Sequence, residues 1–112
     1  MHKYHAKKTV VNGITFDSKA EAKRYRELLI MQEAGEIDGL ELQPLFLLVS
    51  SFKCRGKSYR DIRYIADFLY RETATNTLVV EDVKGVETEV FKIKKKLFLK
   101  KYGEAYEFRI IK

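Results

Sequence analysis

The pattern of apolar and polar positions predicts a short hairpin and then a long helix at the start of the chain. The stretch TVVNGITF carries apolar residues on both sides of Asn12-Gly13, a pair that readily adopts the positive φ angles of a type I′ turn. The next stretch, residues 16–37, has a helical period, and Asp17 or Ser18 is placed to cap its first turn. We therefore expect a β-hairpin followed by an amphipathic helix.

Three stretches with strand character follow the predicted helix. Residues 40–52, LELQPLFLLVSSF, are rich in apolar residues and contain the only proline, Pro44, which indicates an edge position or a bulge. Residues 60–72, RDIRYIADFLYRE, and residues 77–85, TLVVEDVKG, flank a polar turn at 73–76. Because consecutive strands joined by a short turn favour hairpins, we expect residues 60–72 and 77–85 to pair antiparallel.

A second helix and a last strand complete the chain. Residues 88–103, TEVFKIKKKLFLKKYG, have a helical period, and residues 106–112, YEFRIIK, have strand character. A helix between two strands favours a crossover connection. The predicted fold is therefore a single α+β domain, residues 1–112, with a mixed central sheet in αβββαβ order, helices on its faces and a short N-terminal hairpin.

Charge and composition narrow the class of partner. The 112 residues include 22 basic and 16 acidic side chains, a net charge of +6, which favours nucleic acid or, less often, an anionic membrane surface. The sequence shows no apolar stretch long enough to span a membrane and no signal peptide at its start, and a lone cysteine, Cys54, fits a reducing cytoplasm. His2 and His5 are possible ligands, but a mobile terminus is the favoured interpretation.

The strand period brings two aspartates together. Side chains alternate between the faces of a strand, so Asp82 and Lys84 share one face while Glu81 points away from them. If the 73–76 turn pairs residue 72 with residue 77, Asp67 falls opposite Asp82, with Cβ atoms about 5 Å apart.

Two carboxylates at that distance repel each other, and a compensating positive charge is needed. Lys84 supplies part of it, and a divalent cation with oxygen ligands would supply more. The alternative is a structural ion-pair cluster or a pair of solvated acids at the edge of the sheet. The position of the acids inside apolar strands of a basic protein favours a functional site.

The constellation of Asp67 with Asp82-Val83-Lys84 resembles the signature of the PD-(D/E)XK nuclease superfamily. The whole chain is similar to small phage and prophage endonucleases related to Holliday-junction resolvases. The phrases that carry this resemblance are FDSKAEAKRY, LELQP, YIADF, VVEDVKG and FKIKKKLF. One departure is Ala66, which stands where the superfamily signature has proline. The resemblance implies a restriction-endonuclease-like core.

The resemblance also implies roles for particular residues. Asp67, Asp82 and the backbone carbonyl of Val83 would hold Mg²⁺ or Mn²⁺. Lys84 would orient or activate the attacking water, or stabilise charge on the phosphorus centre. Glu21 on the first helix would complete the catalytic set.

Four of the candidate residues have alternative interpretations. Glu21 also fits a capping box with Ser18, in which its side chain bonds the start of the helix. Gln43, in LELQP, would contact the substrate or a metal-bound water, or is an ordinary polar strand residue. Lys94 and Lys96 resemble a basic DNA-binding motif on the second helix, or belong to a solvated helix face.

The resulting hypothesis is an endonuclease that hydrolyses DNA phosphodiester bonds with Mg²⁺ or Mn²⁺. No base-reading element is visible, so recognition of branched DNA or Holliday junctions by shape is expected, with a homodimer cutting two strands. The resemblance places such a protein in the cytoplasm of a bacterial host, in phage recombination or replication. The alternative is a non-catalytic nucleic-acid-binding domain on the same fold.

Overall fold

The computed structural model describes residues 8–112, and His2 and His5 lie outside the described part. The described residues form two helices and ten strands. In chain order these are β1 (Thr9–Val11), β2 (Ile14–Phe16), α1 (Lys19–Glu33), β3 (Ile37–Leu42), β4 (Leu45–Val49), β5 (Phe52–Cys54), β6 (Lys57–Tyr59), β7 (Ile62–Ile65), β8 (Phe68–Glu72), β9 (Thr77–Val83), α2 (Glu89–Tyr102) and β10 (Glu107–Ile111).

The turn and the helix cap at the start of the chain form where the sequence predicts them. Asn12 and Gly13 have φ angles of 51° and 78° and join β1 to β2 in an antiparallel hairpin. Ser18, rather than Asp17, caps α1 by accepting a 3.1 Å hydrogen bond from the Glu21 N–H. The hairpin and the first helix are therefore confirmed.

The central sheet has four strands in the order β10-β9-β8-β3. Strand β8 runs antiparallel to both β3 and β9, whereas β10 runs parallel to β9 after the crossover through α2. The predicted mixed sheet is confirmed. Its strands and the two helices follow the chain order αβββαβ, with β4 to β7 inserted between β3 and β8.

The two helices cover opposite faces of this sheet. The apolar side of α1 packs with Phe68, Tyr70 and Val79 in one core, and the apolar side of α2 packs with Val80 and Phe46 in another. Residues that alternate along β9 therefore belong to different cores. Within residues 8–112, neither helix is both long and apolar enough to cross a membrane.

The prediction of a single strand over each of the stretches 40–52 and 60–72 was wrong, whereas the edge position expected of Pro44 is confirmed, since β3 and β4 on either side of it are edge strands. Each stretch is interrupted, the first at Gln43-Pro44 and the second at Ala66-Asp67. The breaks face each other, since the Gln43 N–H donates to the Asp67 carbonyl and the Ala66 N–H donates to the Pro44 carbonyl. A proline cannot donate a ladder hydrogen bond, and Gln43 has a φ of 50°, so regular strand pairing is interrupted at this point.

The interrupted strands nevertheless form one bent ribbon. Leu42 pairs with Phe68 before the break and Leu45 pairs with Ile65 after it, which is the same register. Before the break the ribbon belongs to the central sheet, and after it the ribbon continues as the separate pair β4-β7. It ends in the β5-β6 hairpin, which the sequence patterns did not predict.

This bent ribbon makes the molecule elongated. The radius of gyration is 16.0 Å and the principal extents are 54 × 41 × 23 Å. A compact domain of this length has a radius of gyration of about 13 Å. The insertion between β3 and β8 is therefore an arm whose base, β4 and β7, packs against α2. Its exposed end, the β5-β6 hairpin, projects from the helix-sheet-helix body.

A buried ion pair joins α1 to the central sheet. Glu81 on β9 is fully buried and accepts hydrogen bonds from Arg24 Nε at 2.8 Å and Nη2 at 2.6 Å. The Tyr70 hydroxyl on β8 donates to the same carboxylate. A bidentate arginine pair fixes both distance and orientation, so this contact sets where α1 lies relative to the end of β9.

Replacing Arg24 with methionine removes both charged donors from the buried Glu81 carboxylate. We expect Arg24→Met to lower the free energy of unfolding by about 3–5 kcal/mol, because an uncompensated buried charge is left behind. Chemical denaturation followed by circular dichroism measures this change.

The matched control is Arg63→Met, which breaks an exposed pair with Asp61. That change should cost less than about 1 kcal/mol. If Arg24→Met leaves too little folded protein to measure, Arg24→Met with Glu81→Gln should recover part of the loss, since the buried charge is then gone. Equal costs at Arg24 and Arg63 would contradict the role given to the buried pair.

Candidate active site

The pairing of β8 with β9 has the predicted register. Glu72 pairs with Thr77 beside the turn, and the ladder runs without a shift to the pair of Phe68 with Glu81. Asp67 stands one residue before this ladder, at the bend of the ribbon, and its N–H donates to the Glu81 carbonyl at 3.0 Å. The short turn thus brings Asp67 to the end of β9, where the acids of that strand lie.

The Asp67 carboxylate is held against the end of β9. The backbone carbonyl of Asp67 accepts a hydrogen bond from the Gln43 N–H. The side-chain Oδ2 of Asp67 accepts a 2.6 Å hydrogen bond from the Val83 N–H. This hydrogen bond fixes the orientation of the carboxyl group. Val83 therefore contacts Asp67 directly, through its N–H group.

Asp82 and Lys84 share a face of β9, as their spacing predicts. Asp82 is only 3% exposed, and its Oδ1 lies 3.4 Å from the Lys84 amine. The Tyr64 hydroxyl donates to the other carboxylate oxygen. The Lys84 amine also lies 4.7 Å from the centre of the Phe91 ring, a cation–π contact that places it beside the start of α2.

Glu21 interacts with both the start of α1 and the two aspartates, and we call Glu21, Asp67 and Asp82 the acid cluster. Its N–H bonds the Ser18 hydroxyl, and its carboxylate interacts with Ser18, with Asp67 and, electrostatically, with Asp82. The capping and active-site interpretations are therefore compatible. The buried pair between Arg24 and Glu81 lies one turn further along the same helix, which keeps this part of α1 against β9.

The carboxyl groups of Glu21, Asp67 and Asp82 all have raised pKa values. Burial is the largest cause in each case. The pKa of Asp67 rises to about 7, because repulsion from Asp82 and Glu21 and a hydrogen bond to Glu21 add to the burial, against the Val83 N–H. Burial also raises the pKa of Asp82, against the Tyr64 hydroxyl and Lys84, which stabilise its charged form. A cluster with this charge excess favours binding of a proton or a cation.

The acids and their neighbours lie around two concave surfaces. A small cavity of about 170 Å³ is lined by Glu21, Gln43 and Asp67. An open cleft of about 970 Å³, on the side of α2, is lined by Lys84 and Lys94. Arg60 and Arg63 from the arm line the same cleft.

The two aspartates turn toward different partners. Asp82 turns toward Tyr64 and Lys84, while Asp67 turns toward Val83 and Glu21. Over residues 8–112, no three His, Cys, Asp or Glu side chains form a ready-made group for a metal ion. The donors are nonetheless the hard oxygen ligands that Mg²⁺ and Mn²⁺ prefer, and their chemistry fits such a cation.

The two candidate lysines of α2 lie in different places. Lys94 is half-buried and lines the cleft, whereas Lys96 is exposed and is not among the residues that line it. Residues that are two positions apart on a helix differ by about 200° in direction. The side chains of Lys94 and Lys96 therefore point to opposite sides of α2. The structure thus brings Lys94, and not Lys96, to the cleft that Lys84 lines.

Two contacts in this region were missed by the sequence reasoning. The partner of Asp82 is Tyr64, which lies on the far side of the ribbon's bend, and the bend itself was not predicted. The partner of Glu81 is Arg24, 57 residues away in the chain. The strand period did predict that Glu81 points away from Asp82, which was the available signal for a separate partner.

Replacing Asp67 with asparagine tests the raised pKa of this group. The folded state holds the Asp67 proton up to about pH 7, whereas an unfolded aspartate loses it near pH 4. The stability that this group contributes is therefore present below about pH 4 and is lost as pH rises to about 7. We expect Asp67→Asn to be more stable than the wild type at pH 8, by up to a few kcal/mol, and to gain less at pH 5.

Urea unfolding in the presence of a chelator measures this difference without interference from metal ions. Asparagine keeps an oxygen for the Val83 N–H, so the backbone contact survives. Asp38→Asn is the control, because that carboxylate is half-exposed and paired with Arg71, and no gain at high pH is expected there. An equal loss of stability at both pH values in Asp67→Asn would indicate a purely structural carboxylate.

Comparison with known proteins gives a family and no activity. No curated protein and no solved structure matches the chain. The model of one family, described as "Protein of unknown function (DUF1064)", matches residues 1–112. This match covers the whole chain, and on that basis the protein belongs to the DUF1064 family.

Proposed function

We propose that this protein is a metal-dependent endonuclease of the PD-(D/E)XK kind that hydrolyses DNA phosphodiester bonds. The observation that carries the proposal is the meeting of Asp67, Asp82, Lys84 and Glu21 at one end of the central sheet. The αβββαβ order of that sheet and its helices supports a restriction-endonuclease-like core. Asp67 at the bend before β8 and Asp82-Val83-Lys84 at the end of β9 support the proposal, because the two aspartates and the lysine lie in or directly beside consecutive paired strands.

In the proposed site, each residue has a physical task. Asp67, Asp82 and the Val83 carbonyl would hold a Mg²⁺ or Mn²⁺ ion, which lowers the pKa of a water molecule and offsets negative charge on the phosphate. Asp67 must release its proton before it can act as a ligand, and a pKa of about 7 permits this near neutral pH. Glu21 is placed to receive that proton or to orient a water molecule.

Lys84 is the residue placed to act on the phosphate. Its amine lines the open cleft and lies 3.4 Å from Asp82. Charge that develops on the phosphate oxygens would be stabilised by this amine in a partly desolvated position. The cation–π contact with Phe91 holds the amine in place without neutralising its charge.

The cleft supports binding of the DNA backbone rather than reading of bases. Arg60, Arg63 and Lys94 line it together with Lys84, and basic side chains bind phosphates without regard to sequence. The exposed lysine Lys96 would contact DNA only where the duplex extends along α2. Branched DNA or a Holliday junction is the substrate that shape recognition favours, with a homodimer to cut both strands. We place this reaction in the cytoplasm of a bacterial host.

The alternative is a non-catalytic nucleic-acid-binding domain. One observation favours it: within the described part of the chain, no three potential ligands are already grouped for a metal ion. The basic cleft would bind DNA equally well in both cases. The two functions therefore differ in one result, which is hydrolysis in the presence of a divalent metal.

Asp82→Asn separates the two functions. With Mg²⁺ or Mn²⁺, we expect the wild type to cleave a labelled four-way junction faster than a linear duplex. Asp82→Asn should lower the cleavage rate at least about a hundredfold, because one carboxylate of the site is lost. Binding of the same DNA without metal should be unchanged or tighter, since a negative charge is removed.

The control is Asp38→Asn, which removes the same charge far from the site and should cleave like the wild type. Lys84→Ala should lower the rate much more than the affinity, because Lys84 acts on the reacting phosphate. Absence of cleavage by the folded wild type with either metal would overturn the nuclease and favour the alternative. Wild-type rates in Asp82→Asn would show that the acid cluster is structural.

A further inference from the structure

The end of the arm is a hairpin without a core of its own. Strands β5 and β6 pair through three residues each, and every residue from 50 to 60 is exposed. The contact between Phe52 and Tyr59, with ring centres 5.1 Å apart, is its main internal packing. A two-stranded ribbon of this kind is only marginally stable alone, so burial of apolar surface does not account for it.

The hairpin carries a concentrated positive charge. Residues 50–60 contain Lys53, Arg55, Lys57 and Arg60 and no acidic residue. None of these four side chains has an ion-pair partner in residues 8–112, whereas Arg24, Arg71 and Arg109 in the body are all paired. The charge at the end of the arm is therefore available to a partner.

The turn of the hairpin places an arginine where the backbone does not favour one. Arg55 and Gly56 have φ angles of 50° and 79°, nearly the same as those of Asn12 and Gly13 in the first hairpin. A type I′ turn prefers asparagine at the first of these positions, and arginine there costs conformational energy. The first hairpin uses the favoured residue, so the arginine at the second is not required by the turn.

The charge of the hairpin is continuous with the cleft. Arg60, at the base of the hairpin, lines the cleft together with Arg63, Lys84 and Lys94. The acid in this stretch, Asp61, is paired with Arg63 at 2.9 Å. A row of basic side chains therefore leads from the acid cluster along the arm to its end.

We propose that this hairpin binds the phosphate backbone of duplex DNA that extends beyond the cleft. The inference rests on the proposed function for what occupies the cleft. The arm projects up to about 20 Å from the end of β4 to its turn, at about 3.3 Å per residue. That length equals about six base pairs of B-form DNA. The contacts are to phosphates, so binding is independent of sequence and sensitive to salt.

A paired set of variants tests the arm. Arg55→Asn with Lys57→Thr removes two charges, while the asparagine suits the turn and the threonine suits a strand. Lys23→Gln with Arg26→Gln removes two charges from exposed positions of α1 and is the control. Binding of a labelled duplex is measured by fluorescence anisotropy in chelator at several salt concentrations.

We expect the arm variant to bind about tenfold more weakly at low salt, and its salt slope to fall by about 1–2. The control variant should match the wild type in both quantities. If the arm variant and the control variant behave alike, the arm does not bind DNA. The thermal midpoints of the variants, measured in parallel, show that both remain folded.

Cys54 gives a second, independent readout. It is the only cysteine in the chain and is exposed in β5, so a photoactivated cross-linker can be attached there. Cross-links to the duplex support the proposal, and cross-links only to a second copy of the chain overturn it. Cleavage by the same proteins is assayed separately. DNA binding through the arm without cleavage would overturn the nuclease alone, and cleavage without an effect of the arm would overturn the arm alone.

Discussion

The buried pair between Arg24 and Glu81 is the contact on which the geometry of the site depends. It connects α1 to β9 through two hydrogen bonds to a fully buried carboxylate. Because neighbouring residues of a strand face opposite sides, holding Glu81 against α1 turns Asp82 toward α2. The same pair keeps Glu21, one turn earlier on α1, near the end of the strand. A structural charge thus positions the charges proposed to act in catalysis.

The bend of the long ribbon is the second constraint. It occurs where Pro44 and Asp67 lie on facing strands, so the residue proposed to bind metal stands where regular pairing stops. The bend frees the Asp67 side chain to accept a hydrogen bond from Val83. After the bend, the ribbon leaves the central sheet, packs against α2 through β4 and β7, and ends in the exposed basic β5-β6 hairpin. One break in two strands therefore produces both a half-buried carboxyl group at the small cavity and an extended charged surface.

The sequence predicted those features that depend on neighbouring residues. The Asn12-Gly13 hairpin, the Ser18 cap and the register of β8 with β9 follow from turns and caps, and all were found. An edge position or a bulge was expected at Pro44, but the interruption of both strands was missed, because the apolar runs on both sides of Gln43 and Asp67 look continuous. Partners such as Tyr64 for Asp82 depend on the bend and on packing between distant segments, which periodicity does not encode.

Anomalous diffraction from crystals soaked in Mn²⁺ tests the proposed site most directly. We expect a peak within about 2–2.5 Å of carboxylate oxygens from both Asp67 and Asp82, with the Val83 carbonyl beside it. This result requires the two aspartates to face one ion from neighbouring strands. A structure with full manganese occupancy at other surface acids and no peak between these two would contradict the assignment of a metal site to this end of the sheet.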